Sequence, residues 1–269
     1  MWHRIKYKEF IQISARGTFI IGITYKGEIF FRTGVDKYHK VGTGWQKIDG
    51  TLKEVTAAEG KILGLNSKSE VVFRTGIDAK HPGGTGWKTL VGRPLKYVAV
   101  GDGKIIGLTL YDRIVYRTAV DAKHPEGTGW KELDGKLNFI SIGDGKIVGT
   151  DSEENAYFRT GIDAGHPFGT GWERFGNLSE ITVGDGKIMG LNDWGLLVVR
   201  TGIDKKHPDG TAWANIPGTF KDMAIGTGYV IGVNGANWIW YKKRNSKWSF
   251  EIFFSIYYRL VRKHFLSMH

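Results

Sequence analysis

The chain has 269 residues, no cysteine, 39 glycines and a formal net charge of +11. The lack of cysteine excludes disulfide cross-links and thiol nucleophiles, and no stretch reaches the ~18 uninterrupted apolar residues of a membrane-spanning helix. The positive balance favours acidic partners such as phosphorylated glycolipids, sulfated glycans, anionic membranes or nucleic acid; the competing reading is a solvated basic surface.

The first ten residues, MWHRIKYKEF, lack the apolar core of a signal peptide. Trp2-His3-Arg4-Ile5 instead matches strand starts met again at Trp45, Trp87, Trp130, Trp172 and Trp213, and Trp2 precedes Trp45 by 43 residues. From Arg32 the chain repeats itself. RTGVDKYHKVGTGW begins there, RTGIDAKHPGGTGW at Arg74, RTAVDAKHPEGTGW at Arg117, RTGIDAGHPFGTGW at Arg159 and RTGIDKKHPDGTAW at Arg200. The Arg-to-Trp distance is always 13 residues, and the copies are spaced by 42, 43, 42 and 41. A loop of constant length within a slightly drifting period indicates one supersecondary unit copied in tandem.

Gly22, Gly64, Gly107, Gly149, Gly190 and Gly232 mark six copies of an apolar run such as GKILGLN. Each unit divides into four short segments, in the second copy residues 52–58, 61–66, 70–77 and 86–91. All are rich in Val, Ile, Phe and Trp, show partial period-two alternation and end at Gly, Asp, Asn or Pro. Four strands in roughly 40–45 residues make a propeller blade. The expected fold is therefore all-β: a six-bladed β-propeller of about 42-residue repeats with four-stranded blades. The sixth copy, 220–243, has three strands and no full RTG…GTGW loop, so the N-terminal strand is expected to close the last blade. Trp248, which follows a short basic loop, competes for that place.

The predicted domains are a single propeller over 1–248 and a basic aromatic tail over 249–269. The tail reads either as a basic amphipathic helix with Phe250, Phe254, Tyr257, Val261 and Phe265 on one side or as a disordered or non-native extension. Much of the excess charge lies near it, in Lys242, Lys243, Arg244, Lys247, Arg259, Arg262 and Lys263.

The pattern Trp…LK-x-V…G-x-G-x-x-x-G-(L/V)-N…RTG-x-x…P-x-GT-x-W, over about residues 1–245, resembles the tectonin β-propeller repeats of the tachylectin and fish-egg lectin type. The resemblance implies a secreted lectin of innate immunity that binds bacterial lipopolysaccharide or sugars such as N-acetylglucosamine. This chain departs from several secreted relatives in lacking their cysteines and in repeating its Asp-x-x-His-Pro loop so uniformly. Intracellular tectonin-repeat proteins supply a second reading, a cytoplasmic adaptor for anionic lipid or protein partners.

Candidate site residues follow from the loop. The carbohydrate-binding set is Asp36, His39, Asp78, Lys80, His81, Asp121, Lys123, His124, Asp163, His166, Asp204, Lys206 and His207. A carboxylate accepts hydroxyls, a neutral imidazole both donates and accepts, and an ammonium suits phosphorylated sugars. The five tryptophans admit two readings, sugar-stacking platforms or inter-blade core. So do Arg32, Arg74, Arg117, Arg159 and Arg200, which either grip a ligand anion or pair with the aspartate four residues on. Packed sheets lie about 10 Å apart, whereas zinc holds its nitrogens at about 2 Å, so one metal cannot collect histidines from successive blades. No metal site is expected, and calcium on the loop aspartates has no EF-hand spacing behind it. No nucleic-acid-binding motif appears. Polar groups copied around a ring do not form the single asymmetric set that catalysis needs, so no enzyme is expected. Such copies can hold a repeating ligand several times.

Overall fold

The computed structural model describes residues 1–58 and 60–243, all in strands, turns and loops. Trp248 and the tail 249–269 lie outside the described residues. Twenty-four strands form six four-stranded antiparallel sheets. Blade 1 comprises Gln12–Arg16, Phe19–Ile23, Glu28–Thr33 and Gly44–Thr51, from the axis outwards. Blades 2 to 5 repeat this order. In the second blade the strands are Glu54–Ala58, Lys61–Leu65, Val71–Thr75 and Gly86–Thr89, each within the segment its sequence pattern marks.

Blade 6 comprises Asp222–Gly226, Tyr229–Val233 and Ile239–Lys243, and His3–Ile5 adds its outermost strand. His3 pairs with Tyr241, Arg4 with Trp240 and Ile5 with Ile239. The N-terminal strand thus closes the ring. Trp2 packs on Phe220, ring centroids 4.6 Å apart, and donates its Nε1–H to the Pro217 carbonyl at 2.5 Å.

The apolar interior is divided among the blade interfaces. Six clusters of buried side chains each draw from two neighbouring blades, the sixth joining blade 6 to blade 1 through Phe10, Ile13, Tyr229 and Ile239. Second strands such as Lys61–Leu65 are buried from their second residue onward, because neighbouring blades cover both faces. Outer strands such as Gly44–Thr51 expose most of their length.

The six marker glycines are required by close approach. A Cβ on any of them would lie 2.4–2.7 Å from a side-chain carbon of Phe10, Leu52, Leu95, Leu137, Leu178 or Phe220, each twelve residues earlier. These six apolar residues enter just ahead of the inner strands. Their backbone amides bond across the interface to the hairpin tip of the preceding blade: Gly27, Ser69, Asp112, Glu154, Gly195 and Asn237 supply the carbonyls, at 2.7–3.0 Å.

The tryptophan joint is a second close approach. A Cβ on Gly50, Gly92, Gly135, Gly176 or Gly218 would lie 2.5–3.1 Å from the indole of the next blade's tryptophan. Trp87, Trp172 and Trp213 donate to the Asp49, Asp134 and Phe175 carbonyls at 2.8–3.0 Å. At the seam, Tyr7 stands five residues after Trp2, where glycine follows Trp45, Trp87, Trp130 and Trp213; after Trp172 the glycine comes four residues on. Its ring lies 6.2 Å from that of Trp45, and Trp45 Nε1 is buried without a partner among the described residues.

Along the axis, the innermost strands leave amides that no further strand can pair, and side chains of the preceding blade take them up. Gln12 Oε1 accepts from Val55 N, Ser14 Oγ from Ala57 N, Glu180 Oε1 from Met223 N and Asp222 Oδ2 from Ile13 N. These lie along a central cavity of about 60 Å³, room for about two waters. Arg16 fills one end, bonding the Val183 carbonyl and lying 3.9 Å from both Asp102 and Asp144.

Burial raises the Asp222 carboxyl from 3.8 to about 7, and burial pushes Glu54 and Glu180 in the same direction. A carboxyl whose folded value is raised keeps its proton where the unfolded chain releases it. Its contribution is therefore most favourable below the unfolded value and is lost as pH climbs from about 4 to about 7. Asp222→Asn keeps the acceptor for Ile13 N and removes the charge. Its stability gain over the parent is expected to be near zero at pH 4 and to grow to as much as about 4 kcal/mol at pH 8. Urea unfolding at the two pH values checks this; a gain independent of pH contradicts it.

Candidate functional site

The loop between the third and outer strands is built from its arginine. In all five copies Nε donates to the carbonyl nine residues on and Nη2 to the next one: Val41 and Gly42, Gly83 and Gly84, Glu126 and Gly127, Phe168 and Gly169, Asp209 and Gly210, at 2.6–3.1 Å. The guanidinium lies 4.9–5.2 Å from the ring centre of its own blade's tryptophan. All five arginines are buried. The expected pair with the aspartate four residues on does not form, because that carboxylate is bound within its own turn. Three of the arginines instead meet the preceding blade: Arg74 Nη1 reaches Asp49 at 2.6 Å, Arg117 Nη1 reaches the Val91 carbonyl, and Arg159 takes Asp134 with two bonds at 2.6 and 2.8 Å, while Arg200 Nη2 lies 3.5 Å from Asp209 of its own loop. Sequence reading missed these partners, which lie about 25 residues upstream on another sheet. The tryptophans, half-buried between this arginine and the preceding blade, serve the interface.

Above the arginine, the polar residues form one repeated turn. Oδ1 of Asp36, Asp78, Asp121 and Asp204 accepts the amides two and three residues on, and that of Asp163 accepts His166 N, at 2.6–2.8 Å. The His39, His81, His124, His166 and His207 carbonyls each accept two amides, from the aspartate before and the glycine after. Each histidine ring turns back, its Nδ1 3.1–3.4 Å from the aspartate carboxylate. The Asp36 carboxyl is held below its ordinary range by the His39 ring, and Asp78, Asp121, Asp163 and Asp204 chiefly by the histidine amides.

A lowered carboxyl value keeps each aspartate ionised at neutral pH, so it only accepts. A histidine facing it, when neutral, carries its proton on Nδ1, which makes Nε2 an acceptor. The histidine side chains are 52–60% exposed, so that acceptor faces solvent. Lys80, Lys123 and Lys206 stand beside it on the exposed surface; Tyr38 and Gly165 take this place in the other two loops. The structure thus unites each Asp–His pair within a blade and places the five pairs in equivalent loops on one rim. Among the described residues, no group of three or more His, Cys, Asp or Glu side chains is placed to hold a metal ion, and no helix is long and apolar enough to cross a membrane.

Comparison with known proteins agrees with this architecture. The tectonin domain model matches residues 1–133, 83–176 and 173–255. No curated protein sequence is significantly similar to the chain. Among solved structures it is similar to human WBSCR16, with 14% identity, a TM-score of 0.56 and coverage of 88% of this chain and 72% of that one. Yeast RCC1 (Prp20), solved bound to Kap60, is 12% identical with a TM-score of 0.54, covering 82% and 67%. YCF48 from Cyanidioschyzon merolae is 12% identical with a TM-score of 0.53, covering 91% and 85%. At these identities the likeness concerns the fold alone.

Proposed function

The chain belongs to the tectonin family, and from that premise we propose that it is a multivalent lectin of innate-immune type, binding microbial surface glycans or lipopolysaccharide outside the cell. The observation that carries the reading is the fivefold repetition of one exposed turn in which a histidine Nδ1 faces the aspartate carboxylate, so that its Nε2, an acceptor when the ring is neutral, is left to solvent. That acceptor suits a sugar hydroxyl, and the adjacent lysines suit phosphate on core sugars. The aspartate acts mainly by orienting the imidazole, since its Oδ1 already accepts backbone amides. Weak sites linked on one rigid ring raise avidity by roughly 10²–10⁴ on a surface that displays a repeating glycan.

The test is a His81→Ala, His124→Ala, His166→Ala variant. These side chains are half exposed and pack in no core cluster, so its melting temperature should stay within about 2 °C of the parent. Bacterial agglutination should need roughly 10²-fold more protein. Undiminished agglutination by the folded variant would remove the rim loops from the site. A glycan array run beside flotation with anionic vesicles separates the lectin from an intracellular lipid-binding adaptor.

A further inference from the structure

Five of the six turns between second and third strands are capped by the side chain of their first residue. Asn66 accepts Lys68 N and Glu70 N at 3.0 Å, Thr109 accepts Tyr111 N and Arg113 N at 3.3 and 3.1 Å, and Asp151, Asn192 and Asn234 do the same in blades 4, 5 and 6. The blade 1 turn departs from this pattern. Thr24 Oγ1 caps neither amide; it is buried and has no partner among the described residues.

The same turn overhangs a groove of about 280 Å³ between blades 1 and 2, on the face opposite the repeated loops. Tyr25, 66% exposed, supplies an aromatic wall. Lys26 and Lys53 supply two ammonium groups, Ser67 a hydroxyl, and Ile11 an apolar contact, while no carboxylate lines it. Lys26 Nζ lies 5.5 Å from the Tyr25 ring centre. Among the described residues Lys53 bonds only the neutral Ser69 hydroxyl, whereas Lys96, its counterpart in blade 3, bonds the Asp112 carboxylate. Glu28, the acid on this turn, is engaged by Lys47 at 2.7 Å and Lys8 at 3.2 Å.

We propose that this groove is a single binding site, separate from the rim loops, for a pyranose that carries a carboxylate or phosphate. A ring lying against Tyr25 covers apolar surface that is now wet. Its anionic substituent meets two ammonium groups that lack a carboxylate partner in the groove. The volume lies just under the range of drug-sized pockets, which suits one sugar rather than an oligosaccharide. Thr24 offers an unused hydroxyl behind the turn, and a turn lacking its cap can adjust at little cost. The inference rests on the glycan-binding reading only for the choice of a sugar ring.

Titration calorimetry of the full chain with glucuronate, glucose 6-phosphate and glucose tests it. Expected is one molecule per chain for one or both anions, with the responding anion identifying the substituent, and no measurable binding of glucose. Tyr25→Ala and Lys53→Gln, both at exposed positions, should each weaken binding about tenfold or more, while the triple histidine variant keeps it. Groove variants should agglutinate as the parent does, so a failed rim and a failed groove are told apart. No saturable binding of either anion, glucose binding as well as they do, or binding lost in the histidine variant and kept in the groove variants would each overturn the proposal.

Discussion

A chain lacking residues 1–7 is expected to melt about 10–20 °C below the full chain and to aggregate on standing. The seven residues supply the outer strand of blade 6, paired to Ile239–Lys243 at three positions. They also supply two apolar anchors: Ile5 in the blade 6–blade 1 cluster and Trp2 against Phe220 in the blade 5–blade 6 cluster. Burying two such side chains contributes about 3–6 kcal/mol, and a domain of this size loses about 2–4 °C per kcal/mol. Removal also uncovers the backbone edge of Ile239–Lys243, a template for pairing with another chain. Differential scanning fluorimetry with light scattering reads both effects. An unchanged melting temperature would mean that the propeller does not depend on its N-terminal strand.

Arg159→Ala should cost about 2–3 kcal/mol, more than the same change at Arg32. The Arg159 side chain is 1% exposed and joins three things at once: the Phe168 and Gly169 carbonyls of its loop, the Trp172 ring, and both oxygens of Asp134 on blade 3. The Asp134 carboxyl is held below its ordinary range chiefly by this guanidinium. Arg32 makes the loop and ring contacts without an ion pair among the described residues, so Arg32→Ala is the comparison and should cost less. Arg159→Lys should not rescue, since an ammonium cannot reproduce the two-pronged fit. Urea unfolding gives the costs. Hydrogen exchange should show amides of 161–170 opening in Arg159→Ala; equal costs at Arg32 and Arg159 would refute the bridging role.

The architecture was legible because a propeller writes its period into the chain. Gly22 and its five counterparts recur because an apolar side chain fills the space of their Cβ, and the tryptophans recur because each closes onto the blade before it. The one-period offset of Trp2 foretold the strand His3–Ile5. The five Asp-x-x-His turns were equally visible, being local and of constant length. Contacts between repeats were not. Asp134 meets Arg159 only once two sheets stand side by side, and nothing in IDG or LDG separates an ion-pair partner from an ordinary turn. The acids Glu54, Glu180 and Asp222 sit in inner strands whose faces are both covered, so alternation gave no sign of which side they face. The groove at Tyr25 is assembled from two blades, and its uncapped turn stands out only beside the other five.

The substitution of Tyr7 for glycine gives the ring an address. With five near-identical joints, an outer strand made for one blade is shaped to fit any other, and a freshly made chain of such copies has many wrong ways to close or to exchange strands with a neighbour. Tyr7 and Phe10 crowd Trp45 at a junction that no glycine-bearing strand reproduces. With an indole that has no hydrogen-bond partner among the described residues, this joint differs from the other five, and such a difference disfavours the wrong closures.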